Sequence, residues 1–343
     1  MRKFNVAVVG ATGAVGEELF DILNKTNFPI NKLIPLASSK SVGKHIEFAN
    51  KEYDVIELTS SVFEEHEVDI AFFSAGGSVS AKFVPYAVEA GAVVIDNTSH
   101  FRMDPDVPLV VPEVNPQDIA FWREKGIIAN PNCSTIQMVQ VLKPLDDAFD
   151  IQRVDVSTYQ AVSGAGKSGM EELVKQMQDF FAFKLDESSK ETFFHQIALN
   201  VIPQIDIFLD NDYTKEEMKM VNESIKILHK NIEVSATCVR VPVLRSHSEA
   251  LTITFKNNID ANQAKEVLKN AKNVTLLDDP KNRLYPMPNI ATGTDETYVG
   301  RIRKDNFRDN ILHLWCVADQ VRVGAATNAV RIAQIWIKEY SDV

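Results

Sequence analysis

Cysteine is scarce in this 343-residue chain: Cys133, Cys238 and Cys316 are the full set, widely spaced and without a CxxC pair. An odd, scattered set argues against a disulfide framework and against a thiolate zinc site. No HExxH or other histidine and carboxylate cluster is present, so no metal is expected. Positive charge is also short. Lys and Arg number 36 against 47 Asp and Glu, a net charge of −11, which argues against a nucleic-acid surface. No apolar run approaches the roughly 18 residues that cross a bilayer. The opening "MRKFNVAVVG" has too short a run for a signal core before Glu17 and Glu18. The expected compartment is therefore the cytoplasm. Low-complexity tracts are lacking too, and a hydrophobic fraction of 45% with 24% charged residues is that of an ordinary globular protein. The length suits two domains, since domains run to about 100 to 200 residues.

What is present begins with "FNVAVVGATGAVGEELFDILNK". A β-branched run from Phe4 to Val9 gives way to helical spacing, with Val15, Leu19, Ile22 and Leu23 on one side. Between them lies Gly10-Ala-Thr-Gly13-Ala-Val-Gly16, a GxxGxxG turn where a dinucleotide fold needs backbone that turns tightly and approaches a pyrophosphate. The phosphates belong at the start of the helix beginning near Ala14. Further apolar runs at 33–38, 69–75, 92–97 and 126–131 alternate with helix-like stretches such as Val79 to Ala90, as in a parallel sheet. The second run ends Ala37-Ser38-Ser39-Lys40-Ser41. A carboxylate for a ribose 2′-hydroxyl is missing there, and hydroxyls with a cation suit a 2′-phosphate, so NADP is the expected cofactor.

Cys133 stands in "NPNCST", after the run ending at 131 and before "STIQMVQVLKPLDDAF", which reads as a helix capped by Ser134 or Asn132. A thiol at the end of a sheet strand and the positive end of a helix is a credible nucleophile. Cys238 and Cys316 lie in runs that read as buried strands, where a thiol is a small hydrophobe. Of seven histidines, His45, His66, His100, His195, His229 and His313 lie in charged or amphipathic settings. His247 differs: "Arg240-Val-Pro-Val-Leu-Arg245-Ser-His247" joins a strand to a turn with cations. Its imidazole could accept the thiol proton and later handle protons on a substrate oxygen.

Taken in order, "VVGATGAVG", "SAGGSVS", "DNTSHFRM", "VPEVN", "IIANPNCST", "YQAVSGAGKSG", "RVPVLRSHSE" and "DQVRVGAATNAVRIAQ" closely resemble aspartate-β-semialdehyde dehydrogenases of the bacterial type over nearly the whole chain. The resemblance implies an α/β protein in three segments. Residues 1–130 would be a Rossmann-like NADP-binding domain. Residues 131–320 would form an α+β catalytic and dimerisation domain of the glyceraldehyde-3-phosphate dehydrogenase-like type, and 321–343 a helix returning to the first domain. It implies a homodimer, neither membrane nor nucleic acid as partner, and NADPH-dependent conversion of β-aspartyl phosphate to aspartate semialdehyde and phosphate, toward lysine, threonine and methionine.

The resemblance also assigns residues. Cys133 would form a thioester with His247 as acid/base, Gln160 orienting the substrate and Asn132 beside the thiol. Arg240 would clamp the α-carboxylate, Glu216 would face the α-ammonium, and Arg102 and Lys219 would hold phosphate. Glu216 is preferred to Glu217 because it stands three before Lys219, on one helical face. For the cofactor, Gly10, Thr12, Gly13, Ala14 and Val15 match the glycine turn, Ser38, Lys40 and Ser41 the 2′-phosphate loop, and Ser74, Ser163, Gly164 and Gln320 further contacts. N-acetyl-γ-glutamyl-phosphate reductase uses the same thiol chemistry on an acylated substrate, and a non-catalytic NADP-binding sensor could keep the fold. A glyceraldehyde-3-phosphate dehydrogenase would want the acidic NAD determinant.

Overall fold

The computed structural model describes residues 2–341; Met1 of the expected first segment and Asp342 and Val343 of the last lie outside the described residues. Two compact units make up the chain. One runs to Asn132 and takes up the chain again from Ala325; the other is Cys133–Gly324.

In the first unit β1 (Phe4–Val9) leads through α1 (Ala14–Lys25) to β2 (Ile30–Ala37), then to a small ribbon of β3 (His45–Phe48) and β4 (Lys51–Asp54). Next come β5 (Ile56–Glu57), α2 (Val62–Glu65), β6 (Ile70–Phe73), α3 (Gly77–Glu89), β7 (Val93–Asp96) and β8 (Ile127–Ala129). Among the described residues these form a six-stranded parallel sheet in the order β5-β2-β1-β6-β7-β8. Strands β6 and β7 are buried at every position. That is why they read as unbroken apolar runs: helices cover both faces of such a sheet. The C-terminal helix Thr327–Tyr340 belongs to this unit, and its Ala329, Ile332, Ala333 and Trp336 enter the core with Phe4 and Leu23. Of the expected 321–343, the α-helix takes up Thr327–Tyr340, and Arg322–Ala326 before it form a π-helical turn.

In the second unit α4 (Cys133–Phe149) and β9 (Ile151–Gln160) are followed by α5 (Gly166–Phe181), α6 (Lys215–Leu228), β10 (Glu233–Arg240) and β11 (His247–Phe255). The remainder is α7 (Ala261–Lys269), β12 (Val274–Leu276), α8 (Pro288–Ala291), β13 (Thr297–Lys304) and β14 (Ile311–Ala318). The mixed sheet runs β10-β9-β11-β14-β13-β12. Alternate residues such as Val154 and Val156, Leu251 and Ile253, and Leu312 and Leu314 bury one face against Met138, Val141 and Leu145 of α4. Each such side chain contributes about 1.5–3 kcal/mol of burial. Strand β9 is parallel to β10 and antiparallel to β11. The ends of β9 and β10 and the start of β11 therefore meet at one end of the sheet.

Candidate active site

In the first unit the glycine turn is anchored by the N–H groups of Gly10 and Ala11, which both donate to Leu36 O at 2.9 and 3.1 Å. Gly10 has φ +91°, and a Cβ there would stand 3.0 Å from the Ser74 carbonyl, so the position requires glycine. Helix α1 starts at Ala14 behind Gly13, without a side-chain cap. Its first N–H groups, those of Ala14 and Val15 among them, are thus available to an anion rather than spent on a cap. Parallel pairing of β1 with β2 brings Thr12 Oγ1 within 3.3 Å of Ser41 Oγ. Ser38 and Lys40 are exposed beside them, and Ser74 Oγ donates to Val9 O at 3.1 Å. Hydroxyls and an ammonium with no carboxylate among them fit a dinucleotide carrying a 2′-phosphate.

Arg102 lies at the carboxyl ends of β7 and β8 in the same unit. It is buried, with Nε donating to Asn130 O at 2.9 Å and Nη2 to Asn97 O at 2.7 Å. Asp96 beneath it accepts from Ser80, from the Thr98 amide and from the Thr98 hydroxyl, each at 2.9 Å. Burial pushes the Asp96 carboxyl up, against those hydrogen bonds and the Arg102 charge. Asn132, also buried, precedes the first residue of α4. The helix starts at Cys133 itself, so Ser134 is inside the first turn and only Asn132 holds the position of a cap.

The second unit gathers Cys133, Gln160, Glu216, Lys219, Arg240 and His247. Gln160 and Arg240 are register partners at the ends of β9 and β10, and His247 opens β11. Gly164 measures how close two of them are: a Cβ there would stand 2.7 Å from Arg240 Nη1 and 3.3 Å from His247 Nε2. The Cys133 sulfur, at the N-terminus of α4, is within Coulombic reach of the Arg240 guanidinium. From α6, Glu216 accepts from Gln160 Nε2 at 3.3 Å and from Lys219 Nζ at 2.9 Å. Lys219 also meets Asp206 Oδ2 at 2.9 Å. Burial opposes the Lys219 charge, but Glu216 and Asp206 outweigh it and raise its pKa.

The two adjacent glutamates separate by role. Glu217 closes a capping box with Thr214 and takes the Cys238 N–H at 2.9 Å, so it is spent on the fold. Glu216 is the one that meets Gln160 and Lys219.

His247 is fully buried, and its Nδ1 accepts the Ala161 N–H at 3.0 Å while Nε2 meets no partner. Burial, with the Arg240 charge, holds its pKa well below the ordinary value. A neutral ring that accepts at Nδ1 carries its proton on Nε2. With Nδ1 held by a backbone N–H, Nε2 is the ring atom left for the expected acid/base role. Ala161 also accepts from Arg240 Nη1 at 2.7 Å, so one peptide holds both groups. Burial lowers the Arg240 pKa and Glu216 opposes that.

Ser163 and Gln320 meet in this unit, with Gln320 Nε2 donating to Ser163 Oγ and Gln320 Oε1 accepting the Ser246 N–H at 2.8 Å. Gln320 thus links the loop after β9 to the turn before His247. Cys238 and Cys316 are buried strand residues, as their runs implied. Three groups were out of reach of sequence reading. Ala161 acts through its backbone, Asp206 pairs with a lysine 13 residues on, and Phe193 reaches Arg240 from a distant loop. Of these only Ala161 left a signal, its place inside the "YQAVSG" motif.

Two family models match. Residues 5–122 match the semialdehyde dehydrogenase NAD binding domain and 142–323 the semialdehyde dehydrogenase dimerisation domain. The aspartate-semialdehyde dehydrogenase of Campylobacter jejuni is 68% identical over 337 residues, spanning 98% of each chain. Among solved structures, aspartate semialdehyde dehydrogenase II of Vibrio cholerae complexed with ASA is 49% identical with a TM-score of 0.95, covering 99% of this chain and 100% of that one. The Candida albicans enzyme with NADP is 26% identical with a TM-score of 0.74, covering 98% and 99%.

Proposed function

The chain belongs to the aspartate-semialdehyde dehydrogenase family and catalyses reductive dephosphorylation of L-aspartyl-4-phosphate to L-aspartate 4-semialdehyde, a step of amino-acid biosynthesis; we propose that it does so with NADPH through a thioester on Cys133. The carrying observation is the meeting of Gln160, Arg240 and His247 at one end of a sheet, with Glu216 and Cys133 brought in by helices.

The helix N-terminus and Arg240 supply the positive field a sulfur anion needs. The sulfur attacks the acyl carbon; the C–S bond forms, the C–O bond to phosphate breaks, and phosphate leaves with that electron pair. Arg240 receives the α-carboxylate and Glu216 the α-ammonium, while Gln160 orients the acyl group beside Asn132. Lys219 has three N–H donors and gives one to each carboxylate beside it, which leaves a third for phosphate, with Arg102 as the second cation. When bound, the reduced dinucleotide supplies the hydride that turns thioester into hemithioacetal. His247 holds the oxyanion of the tetrahedral states with a hydrogen bond from Nε2–H and keeps its proton; as the oxyanion re-forms the C=O bond, the C–S bond breaks, the aldehyde leaves and the electron pair returns to sulfur.

In this reading the unit running to Asn132 is the dinucleotide domain and Cys133–Gly324 carries catalysis and pairing of two copies. The dinucleotide is held by Gly10, Thr12, Gly13, Ala14, Val15, Ser38, Lys40, Ser41 and Ser74, with Ser163, Gly164 and Gln320 at its nicotinamide end. A nucleophilic thiol must stay reduced, which favours the cytoplasm.

The test is phosphate-dependent reduction of NADP with aspartate semialdehyde. Cys133→Ala is expected to lose about 10⁴-fold or more in kcat; an active alanine enzyme would overturn the covalent route. Lys40→Ala should lose roughly 1.5–3 kcal/mol of NADP affinity and little for NAD. An unchanged preference between the two dinucleotides would remove Lys40 from the 2′-phosphate site.

A further inference from the structure

The segment after α5 is fastened by two buried side chains one helical turn apart. Glu172 Oε2 accepts the N–H groups of Glu191 at 3.1 Å and Thr192 at 2.6 Å. Gln176 Oε1 accepts those of Ile197 at 2.9 Å and Ala198 at 3.0 Å, and its Nε2 donates to Ser189 O at 3.2 Å and to Glu172 Oε1 at 3.2 Å. Five backbone groups of 189–198 are therefore satisfied by side chains of α5 in place of a ladder.

Phe193 lies between these two fastenings. Its ring sits with the Arg240 guanidinium 5.9 Å from its centroid, while Phe194 next to it is 86% exposed. The tip of the ring lies close to Gly169, where a Cβ would stand 3.2 Å from Phe193 Cζ. Phe193, Ile202, Ile205, Asp206 and Arg240 line a cavity of about 260 Å³. A guanidinium against a ring face is held by the ring's quadrupole. The ring also keeps water off one face of the cation, and a drier site strengthens its bond to a carboxylate.

We propose that Phe193, fastened by Glu172 and Gln176, is a positioning residue that sets Arg240 for the substrate α-carboxylate and so contributes to selection of an α-carboxylated aldehyde. The proposal rests on the reading of Arg240 as the carboxylate clamp. Phe193 reaches the substrate through Arg240, so its loss should weaken binding and leave the bond-making steps alone.

The experiment compares Phe193→Ala and Phe193→Tyr in the phosphate-dependent oxidation of aspartate semialdehyde and of 3-aminopropanal, which keeps the aldehyde and an amino group but has no carboxylate. Phe193→Ala should raise KM for aspartate semialdehyde about tenfold with kcat within about twofold. Phe193→Tyr should restore KM, and kcat/KM for 3-aminopropanal should not move. An equal loss on both aldehydes, or none, overturns the proposal. Wild type that does not distinguish the two aldehydes instead removes the carboxylate clamp at Arg240, and the proposal falls with it. Should Phe193→Ala fail to fold, Glu172→Gln, which weakens the fastening of the loop, is expected to show the same split in KM and kcat at a smaller size; an unchanged KM there counts against the proposal.

Discussion

Two thiols of the second unit sit close to the same helix in opposite electrostatic surroundings. Cys133 opens α4 and feels the Arg240 guanidinium. One turn along, Gln137 donates to the His247 carbonyl at 3.4 Å and to Cys316 Sγ at 3.7 Å. Cys316 donates in turn to Glu249 Oε2 at 3.4 Å. Burial and the Glu249 carboxyl drive the Cys316 thiol well above its ordinary pKa. The same atom type is thus placed beside a cation at a helix N-terminus or beside an acid within the core, and only the first setting favours a nucleophile. Chemistry here is chosen by the second partner, not by the cysteine.

The largest consequence of that contrast is in reactivity. With iodoacetamide at neutral pH, Cys133 should be alkylated at least about 10³-fold faster than Cys316 or Cys238, since the latter two react only through opening of the sheet. Peptide mass spectrometry over a time course checks this, and aspartate semialdehyde should protect Cys133. Comparable rates at Cys133 and Cys316 would break the contrast.

Much of the first half of that contrast could be read from the chain. The glycine turn, the strand ends and the place of Cys133 at a strand-to-helix turn are local features, carried by backbone and spacing. The structural task of Glu217 left a signal as well: Thr214-Lys215-Glu216-Glu217 spells a capping box that claims Glu217. The second half was not legible, because it depends on pairing between distant strands. Glu249 sits in "RSHSE", which has the polarity of a surface turn. Antiparallel register places it opposite Thr158 on one side and Cys316 on the other, in the middle of the sheet. The setting of His247 has the same origin: the Ala161 N–H that its Nδ1 accepts lies 86 residues away in sequence.

The smaller effect concerns Glu249, on which the acidic side of the contrast depends. Burial pushes its carboxyl to about 8 from 4.5, against the hydrogen bonds of Cys316 and Gln137. Glu249 Oε1 and Gln137 Oε1 both lack a donor, which is what a neutral acid with its own proton would supply. Below about pH 4.5 folded and unfolded chains both hold this proton and the group contributes nothing to the pH dependence. Between about 4.5 and 8 the folded chain keeps a proton that the unfolded chain has released, so stability falls as pH rises and levels off above 8. The slope limit is about 1.4 kcal/mol per pH unit for one proton, so the full window is worth a few kcal/mol at most. Glu249→Gln keeps the shape, adds an amide donor and does not titrate. Its stability relative to wild type in urea unfolding should therefore be smallest near pH 5 and grow toward pH 8. If the two proteins instead keep a constant difference across that range, Glu249 holds a charge throughout, and an anion rather than a neutral acid lies behind the helix that carries Cys133.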